Sequence, residues 1–307
     1  MFERMPEAAW AGKRVDAWLA ALFPACSMAL LRRFLADGAL TLGGHPCAKG
    51  DRVRPGAPYC FAREPAAVEL AANAALPLAL CFADEALLAV DKPAAMDCQP
   101  NAPEERETLA NALLARYPEL RGIGDGPLTC GILHRIDRDT SGLVLVARSQ
   151  AVYAALRAQF AEHTVVKRYV ALVSGEVRQP LRLENFLAHN PRCPGRMIDA
   201  TRWRDAKRPM FARSDVRPLR GFRLAGQAVS LLEVTIRTGV THQIRAQLSL
   251  AGHPIVGDRR YGGRQLPDFP RHFLHAAEVT FTHPLSQAPL TLRAPLPPTL
   301  AALLPRA

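Results

Sequence analysis

Nine residues, His134-Arg135-Ile136-Asp137-Arg138-Asp139-Thr140-Ser141-Gly142, run directly into an unbroken apolar stretch, Leu143–Ala147. A run of this length with no polar alternation reads as a strand covered on both faces, so it belongs in the middle of a sheet. The charged segment before it is therefore a loop fixed to a rigid, buried element. Loops held in this way are where chemistry is usually placed. A salt-bridged turn explains the same charges less well at this length. Asp137 and Asp139 alternate with Arg135 and Arg138. Arginine neighbours keep a carboxylate ionised even when it is partly buried. An ionised carboxylate is a competent nucleophile toward a sugar carbon.

The elements around this centre follow from periodicity. Leu87–Val90 is a short buried strand stopped by Asp91-Lys92-Pro93, and Val165–Val173 and Leu231–Ile236 are further strands. Thr108–Tyr117 and Ala151–Phe160 carry helical spacing. From Leu78 onward, strands alternate with helices. Ahead of them, Val15, Trp18, Leu19 and Leu22 predict one helix, ended by Pro24. A second follows, capped by Ser27, with Leu30, Leu31, Phe34 and Leu35 as its face. A strand over Ala39–Leu42, the hairpin signal Gly43-Gly44 and a strand within Asp51–Phe61 complete a small module. Arg32, Arg33, Lys49, Arg52 and Arg54 decorate it. Three units are expected: residues 1–62, a linker over 63–77 rich in Ala, Pro and Glu, and 78–307. Pro295, Pro297 and Pro298 predict a final extended segment on the surface.

The formal net charge of +11 favours a polyanionic partner, nucleic acid ahead of an anionic membrane. The N-terminus has no apolar signal core, and the longest apolar stretch, Leu70–Ala83, is broken by Asn73 and Pro77. No membrane association is expected. The 7 cysteines are scattered, with no Cys-x-x-Cys pair, and read as reduced thiols in a cytoplasmic protein. The histidines show no metal-ligand spacing, so no metal is expected.

Two more segments bear on chemistry. In Thr238-Gly239-Val240-Thr241-His242-Gln243-Ile244-Arg245, Thr241 is a candidate helix cap. Ile244, Leu248 and Ala251 share a face, and Gly252 with Pro254 ends the helix. Arg245, near the helix start, is within reach of a carboxylate from another loop. In Lys167–Val173, alternation places Tyr169, Ala171 and Val173 on one face. A tyrosine there is ordinarily core; beside a nucleic-acid pocket it is a platform for a base.

Together these segments resemble the RluA class of pseudouridine synthases. His134–Gly142 is similar to its His-Arg-Leu-Asp-x-x-Thr-Ser-Gly signature, with Ile136 for the leucine. Lys167–Val173 resembles its Lys-x-Tyr-x-Ala-Leu-Val strand, and Thr238–Leu248 its Thr-Gly-Arg-Thr-His-Gln-Ile-Arg helix. The frame agrees in order: Val90-Asp91-Lys92-Pro93 before, then Gly252–Asp258, Tyr261-Gly262, His275-Ala276 and His283-Pro284. Residues 13–61 are similar to the alpha-L RNA-binding motif. Val240 stands where the family has arginine, and Ala94–Gln99 departs from its Pro-Ala-Gly-x-x-x-His.

The resemblance implies an α+β fold with a mixed, mainly antiparallel central sheet, flanking helices and a small N-terminal α/β RNA-binding domain. It implies isomerisation of uridine to pseudouridine in structured RNA, large-subunit ribosomal RNA first and transfer RNA second, with no cofactor. Asp137 is then the nucleophile, Arg245 its ionic partner and Tyr169 the residue that stacks on uracil and takes the carbon 5 proton. Arg135 helps extrude the uridine, Ile244 lines the pocket, and His134 and Arg138 complete the substrate-binding set. A monomer is expected. The competing readings are a non-catalytic RNA-binding protein on the same fold and another glycosyl-bond enzyme. The latter needs two working carboxylates, and Asp139 should point away from Asp137.

Overall fold

A computed structural model describes residues 1–307 except 25, 27, 66–68, 103, 194, 204–205 and 306–307. Two sheets organise the described residues. The N-terminal sheet has the order β1-β4-β2-β3, built from β1 (Phe2–Arg4), β2 (Leu40–Leu42), β3 (His45–Pro46) and β4 (Tyr59–Phe61). Helices α1 (Val15–Leu22) and α2 (Met28–Ala36) pack with it. Phe61 is the centre of this core: its ring stacks on Phe2 at 4.7 Å and meets Trp18, Phe23 and Phe34. Such aromatic burial gives a small unit its own core. The helical face is correct for Val15, Trp18 and Leu19, but Leu22 is exposed. The expected cap Ser27 lies outside the described residues. Of Asp51–Phe61 only Tyr59–Phe61 is strand, because Pro55-Gly56 turns the chain first. Its partner β1 lacks any local signal.

The second sheet has ten strands. It begins with β5 (Ala79–Ala83) and β6 (Leu87–Lys92), followed by α3 (Leu109–Arg116). Then come β7 (Ser141–Ala147), α4 (Gln150–Ala161) and β8 (Val166–Ser174). Three more strands, β9 (Leu181–His189), β10 (Met197–Asp199) and β11 (Met210–Leu224), lead to β12 (Gln227–Ile236) and α5 (Gln243–Leu250). The chain closes with β13 (Leu274–Thr282), β14 (Pro289–Arg293) and α6 (Pro298–Ala301). The order is β10-β9-β11-β12-β8-β13-β7-β6-β5, with β14 on β13. Only the short β13–β7 pairing is parallel among the described strands. Strands therefore do not simply alternate with helices; β8 to β12 are mostly consecutive antiparallel strands, as the resemblance implied.

Every residue of β7 is buried, as its apolar run requires. Gly142 lies between Lys92 of β6 and Ala276 of β13, at φ 114. A Cβ there would collide with the Ala276 carbonyl, so only glycine admits this close pairing. Leu70, from the segment read as a linker, is buried in the large core. The proline-rich end is not simply extended: Pro298 opens the short α6 and Leu300 is fully buried. Proline suits the first helical turn, where no amide is needed.

Candidate active site

Asp137, Tyr169, Ile244 and Arg245 meet in one cleft of about 1030 Å³, which His134, Arg135 and Arg138 also line. The loop bearing Asp137 is held from several sides. Thr140 donates its amide to the Asp137 carbonyl at 3.0 Å, and its hydroxyl pairs with His272 at 2.7 Å. Ser141 pairs with His275 at 3.0 Å. Burial drives His272 down to about 4, so it is neutral here at physiological pH. Lys92 closes the other side. Its ammonium donates to the carbonyls of Pro93 and Met96 at 2.7 Å and Arg138 at 3.1 Å. This ties the segment after β6 to the loop.

Arg245 arrives from the opposite side. Two glutamines fasten its helix to the sheet. Gln243 donates to the Arg213 carbonyl and accepts from Thr238 Oγ1 and the Val240 amide. Gln247 donates to the Leu183 and Ala212 carbonyls and accepts from Ser214 Oγ at 2.6 Å. The expected cap, Thr241, is not the cap. His242 occupies that position at φ 51, a left-handed conformation, and Gln243 satisfies the Val240 amide in place of a hydroxyl. The unusual backbone turns the His242 ring inward: Nδ1 is 3.0 Å from Tyr261 Oη and Nε2 is 3.9 Å from Asp137 Oδ1. Ala251 is exposed, so the buried helical face ends at Leu248.

The Arg245 guanidinium bridges two carboxylates. Nη1 donates to Asp137 Oδ2 at 2.8 Å, while Nε and Nη2 donate to Asp258 at 2.6 and 2.9 Å. The Tyr261 ring lies 5.2 Å from it. The Asp258 side chain is 1% exposed, that of Asp137 25%. Asp258 thus fixes the fork and leaves one arm for Asp137. Burial raises the Asp137 carboxyl, but the charges of His242 and Arg245 outweigh it and hold it below the ordinary carboxylate value. His242 is itself depressed by burial and uncharged at neutral pH. Arg245 therefore carries the effect there.

The remaining expected residues divide. Burial and the Asp137 charge push the Tyr169 phenol well above its ordinary value, so it offers a face, not a phenolate, at neutral pH. Ile244 is buried beside it in the wall. Arg135 is exposed at the rim. Arg138 is taken up by Asp97 at 2.7 Å, within the segment that departs from the family pattern. His134 accepts the Leu145 amide at 3.1 Å and is driven by burial to about 3; it braces the loop in its neutral form. Sequence reasoning missed Asp258, His272 and the bracing role of Lys92. Asp258 and Lys92 stood in recognised fragments, yet only the fold shows what they touch.

Among the described residues Cys47, Cys60, Cys81, Cys98, Cys130 and Cys193 carry free thiols. Among the described residues no group of three His, Cys, Asp or Glu is placed to hold a metal, and no helix is long and apolar enough to cross a membrane.

Comparison with known proteins converges on one family. A family model described as RNA pseudouridylate synthase matches residues 86–250. The chain is 33% identical to a Xanthomonas campestris pv. campestris protein named ribosomal large subunit pseudouridine synthase D, over 98% of this chain and 90% of that one. It is 38% identical to an uncharacterized RNA pseudouridine synthase of Chloroflexus aurantiacus, over 95% of this chain and 89% of the relative. Among solved structures it is similar to human RNA pseudouridylate synthase domain containing 1. That likeness has TM-score 0.59 and 27% identity, over 78% of this chain and 90% of the other.

Proposed function

The chain belongs to the RNA pseudouridylate synthase family, and we propose that it isomerises uridines of large-subunit ribosomal RNA with Asp137 as the nucleophile. The observation that carries the site assignment is the Asp137–Arg245–Asp258 bridge at the floor of the cleft. It supplies an ionised, oriented carboxylate in a partly buried place, where a carboxyl would otherwise hold its proton.

The target uridine leaves its stack to bring the anomeric carbon to Asp137. Arg135 at the rim takes the vacated place. Tyr169 stacks on the uracil and Ile244 closes the pocket beside it. Asp137 assists cleavage of the bond between uracil and ribose. The freed base turns on the Tyr169 face and rejoins through carbon 5, which gives up its proton as the new bond forms, while nitrogen 1, released from the sugar, takes one up. The reaction is a redox-neutral isomerisation that consumes no water. The choice of ribosomal RNA rests on the name of the Xanthomonas relative, similar over nearly the full length of both chains.

Residues 1–62 serve affinity. Their core is separate from that of the large sheet. Arg32 lies 3.6 Å from Asp16 and Arg52 donates to the Gly12 carbonyl, while Arg33, Lys49 and Arg54, with Arg4 and Lys13, are exposed cations open to phosphate. Nucleotide-resolution mapping tests the substrate: the purified protein is incubated separately with large-subunit ribosomal RNA and with transfer RNA. New pseudouridine in the ribosomal RNA is expected. Modification confined to transfer RNA would overturn the substrate, and none in either would overturn the activity.

A further inference from the structure

Two lysines are buried near the cleft, and they differ in one respect. Lys92 is fully buried and all three donors of its ammonium have carbonyl acceptors. Lys167 is 6% exposed and lines the cleft. Among the described residues its single hydrogen bond runs to the Thr238 carbonyl at 2.9 Å, and no carboxylate lies within ion-pair distance. Its other neighbour is the Phe160 ring, 5.6 Å from Nζ. An ammonium with two unused donors is costly to bury. Desolvation accordingly lowers Lys167 to about 8.

The surroundings leave room on that ammonium. A Cβ at Gly239 would sit 3.5 Å from Lys167 Nζ. Gly239 does not have a left-handed backbone, so what its missing side chain provides is space beside the charge. Lys167 is two residues from Tyr169 on the same face of β8, roughly 7 Å along the strand. A nucleotide with its base on Tyr169 therefore extends its backbone past an unsatisfied cation.

We propose that Lys167 receives a phosphate group of the RNA, next to the target nucleotide, through the two donors that the protein leaves unused. This rests on the reading of the cleft as an RNA site, but not on turnover. The test uses the full chain with Lys167→Met, Lys167→Arg or Gly239→Ala, each also carrying Asp137→Asn for binding. The probe is transcribed large-subunit ribosomal RNA.

Binding is measured across about 50 to 200 mM salt, where each lost phosphate contact removes roughly 0.7–0.9 from the slope of log affinity against log salt. Lys167→Met should weaken binding and flatten the slope by about that amount. Lys167→Arg should keep the slope. Gly239→Ala should weaken binding with the charge still in place. In chains with Asp137 intact, KM should rise for Lys167→Met, with kcat at saturating RNA changed less than about threefold. Its unfolding midpoint should not fall, because the variant removes an uncompensated buried charge. An unchanged slope with lower kcat would place Lys167 on the base and overturn the proposal. An unchanged slope with a lower unfolding midpoint would make it a prop for the Thr238 loop, and would overturn it equally. Absence of pseudouridine formation by the wild-type chain would defeat the enzymatic reading alone, since the binding series does not depend on it.

Discussion

Replacing Arg245 by methionine should do two separable kinds of damage. The first is to stability. Asp258 is 1% exposed and pairs with Arg245 through two hydrogen bonds. Breaking a buried pair by removing one partner costs about 3–5 kcal/mol, against a typical total stability of about 5–15 kcal/mol. The second is to chemistry. Arg245 also holds Asp137 at 2.8 Å. A hydrogen bond to a charged group contributes about 1.5–3 kcal/mol, which corresponds to about one to two orders of magnitude in rate. Adding Asp258→Asn to Arg245→Met removes the stranded charge and keeps an acceptor for the Tyr261 amide, 3.3 Å from Asp258 Oδ1. The double variant should therefore regain most of the stability while its turnover stays low. Urea unfolding reads the first effect and single-turnover pseudouridine formation at saturating RNA the second. Turnover that recovers together with stability would refute the reasoning, because Arg245 would then matter only as a structural counter-charge.

Two further outcomes follow from the same geometry. Asp137 has a folded-state value below 3.8; its ionised contribution is complete above the ordinary carboxylate range and is lost only as pH falls through the depressed value. Wild-type single-turnover rates should thus hold down to about pH 4, whereas in Arg245→Met burial is opposed only by the charges of His242 and His272 and the acid limb should move upward; coincident limbs would count against the ion pair. Gly142→Ala places a side chain at φ 114 against the Ala276 carbonyl and should lower stability by about 1–3 kcal/mol from backbone strain alone, read as a shift in urea midpoint; an unshifted midpoint would mean that β7 and β13 are not closely paired.

Part of this architecture was legible because its signals are local. The apolar run at Leu143–Ala147 gave β7, and 3.6-residue spacing gave α3 and α4 within a residue or so at each end. In contrast, β9 and β11 alternate residues such as Leu181 and Leu183 with Arg182 and Glu184 on an open face, a half-buried pattern easily taken for surface loop. Strand β1 is three residues long and pairs with Tyr59–Phe61, far along the chain. At the site, Asp137, Tyr169 and Arg245 stood out through their motifs. Asp258 did not, since its role is a contact with a helix that ended eight residues earlier. The helix entry at His242 was misread as a Thr241 cap because the Gln243 side chain, and not a hydroxyl, satisfies the Val240 amide. His134 and Arg138, grouped by motif with the substrate-binding residues, already have protein partners in Leu145 and Asp97.

The central claim is that Asp137 is the nucleophile, and Asp137→Asn tests it most directly. The amide is isosteric and keeps an oxygen for Arg245, so folding and RNA affinity should remain close to wild type. Under single-turnover conditions with the protein in excess over a ribosomal RNA that the wild type modifies, the variant should form no detectable pseudouridine. Pseudouridine formed at the wild-type rate, with the substitution verified in the protein used, would contradict the account.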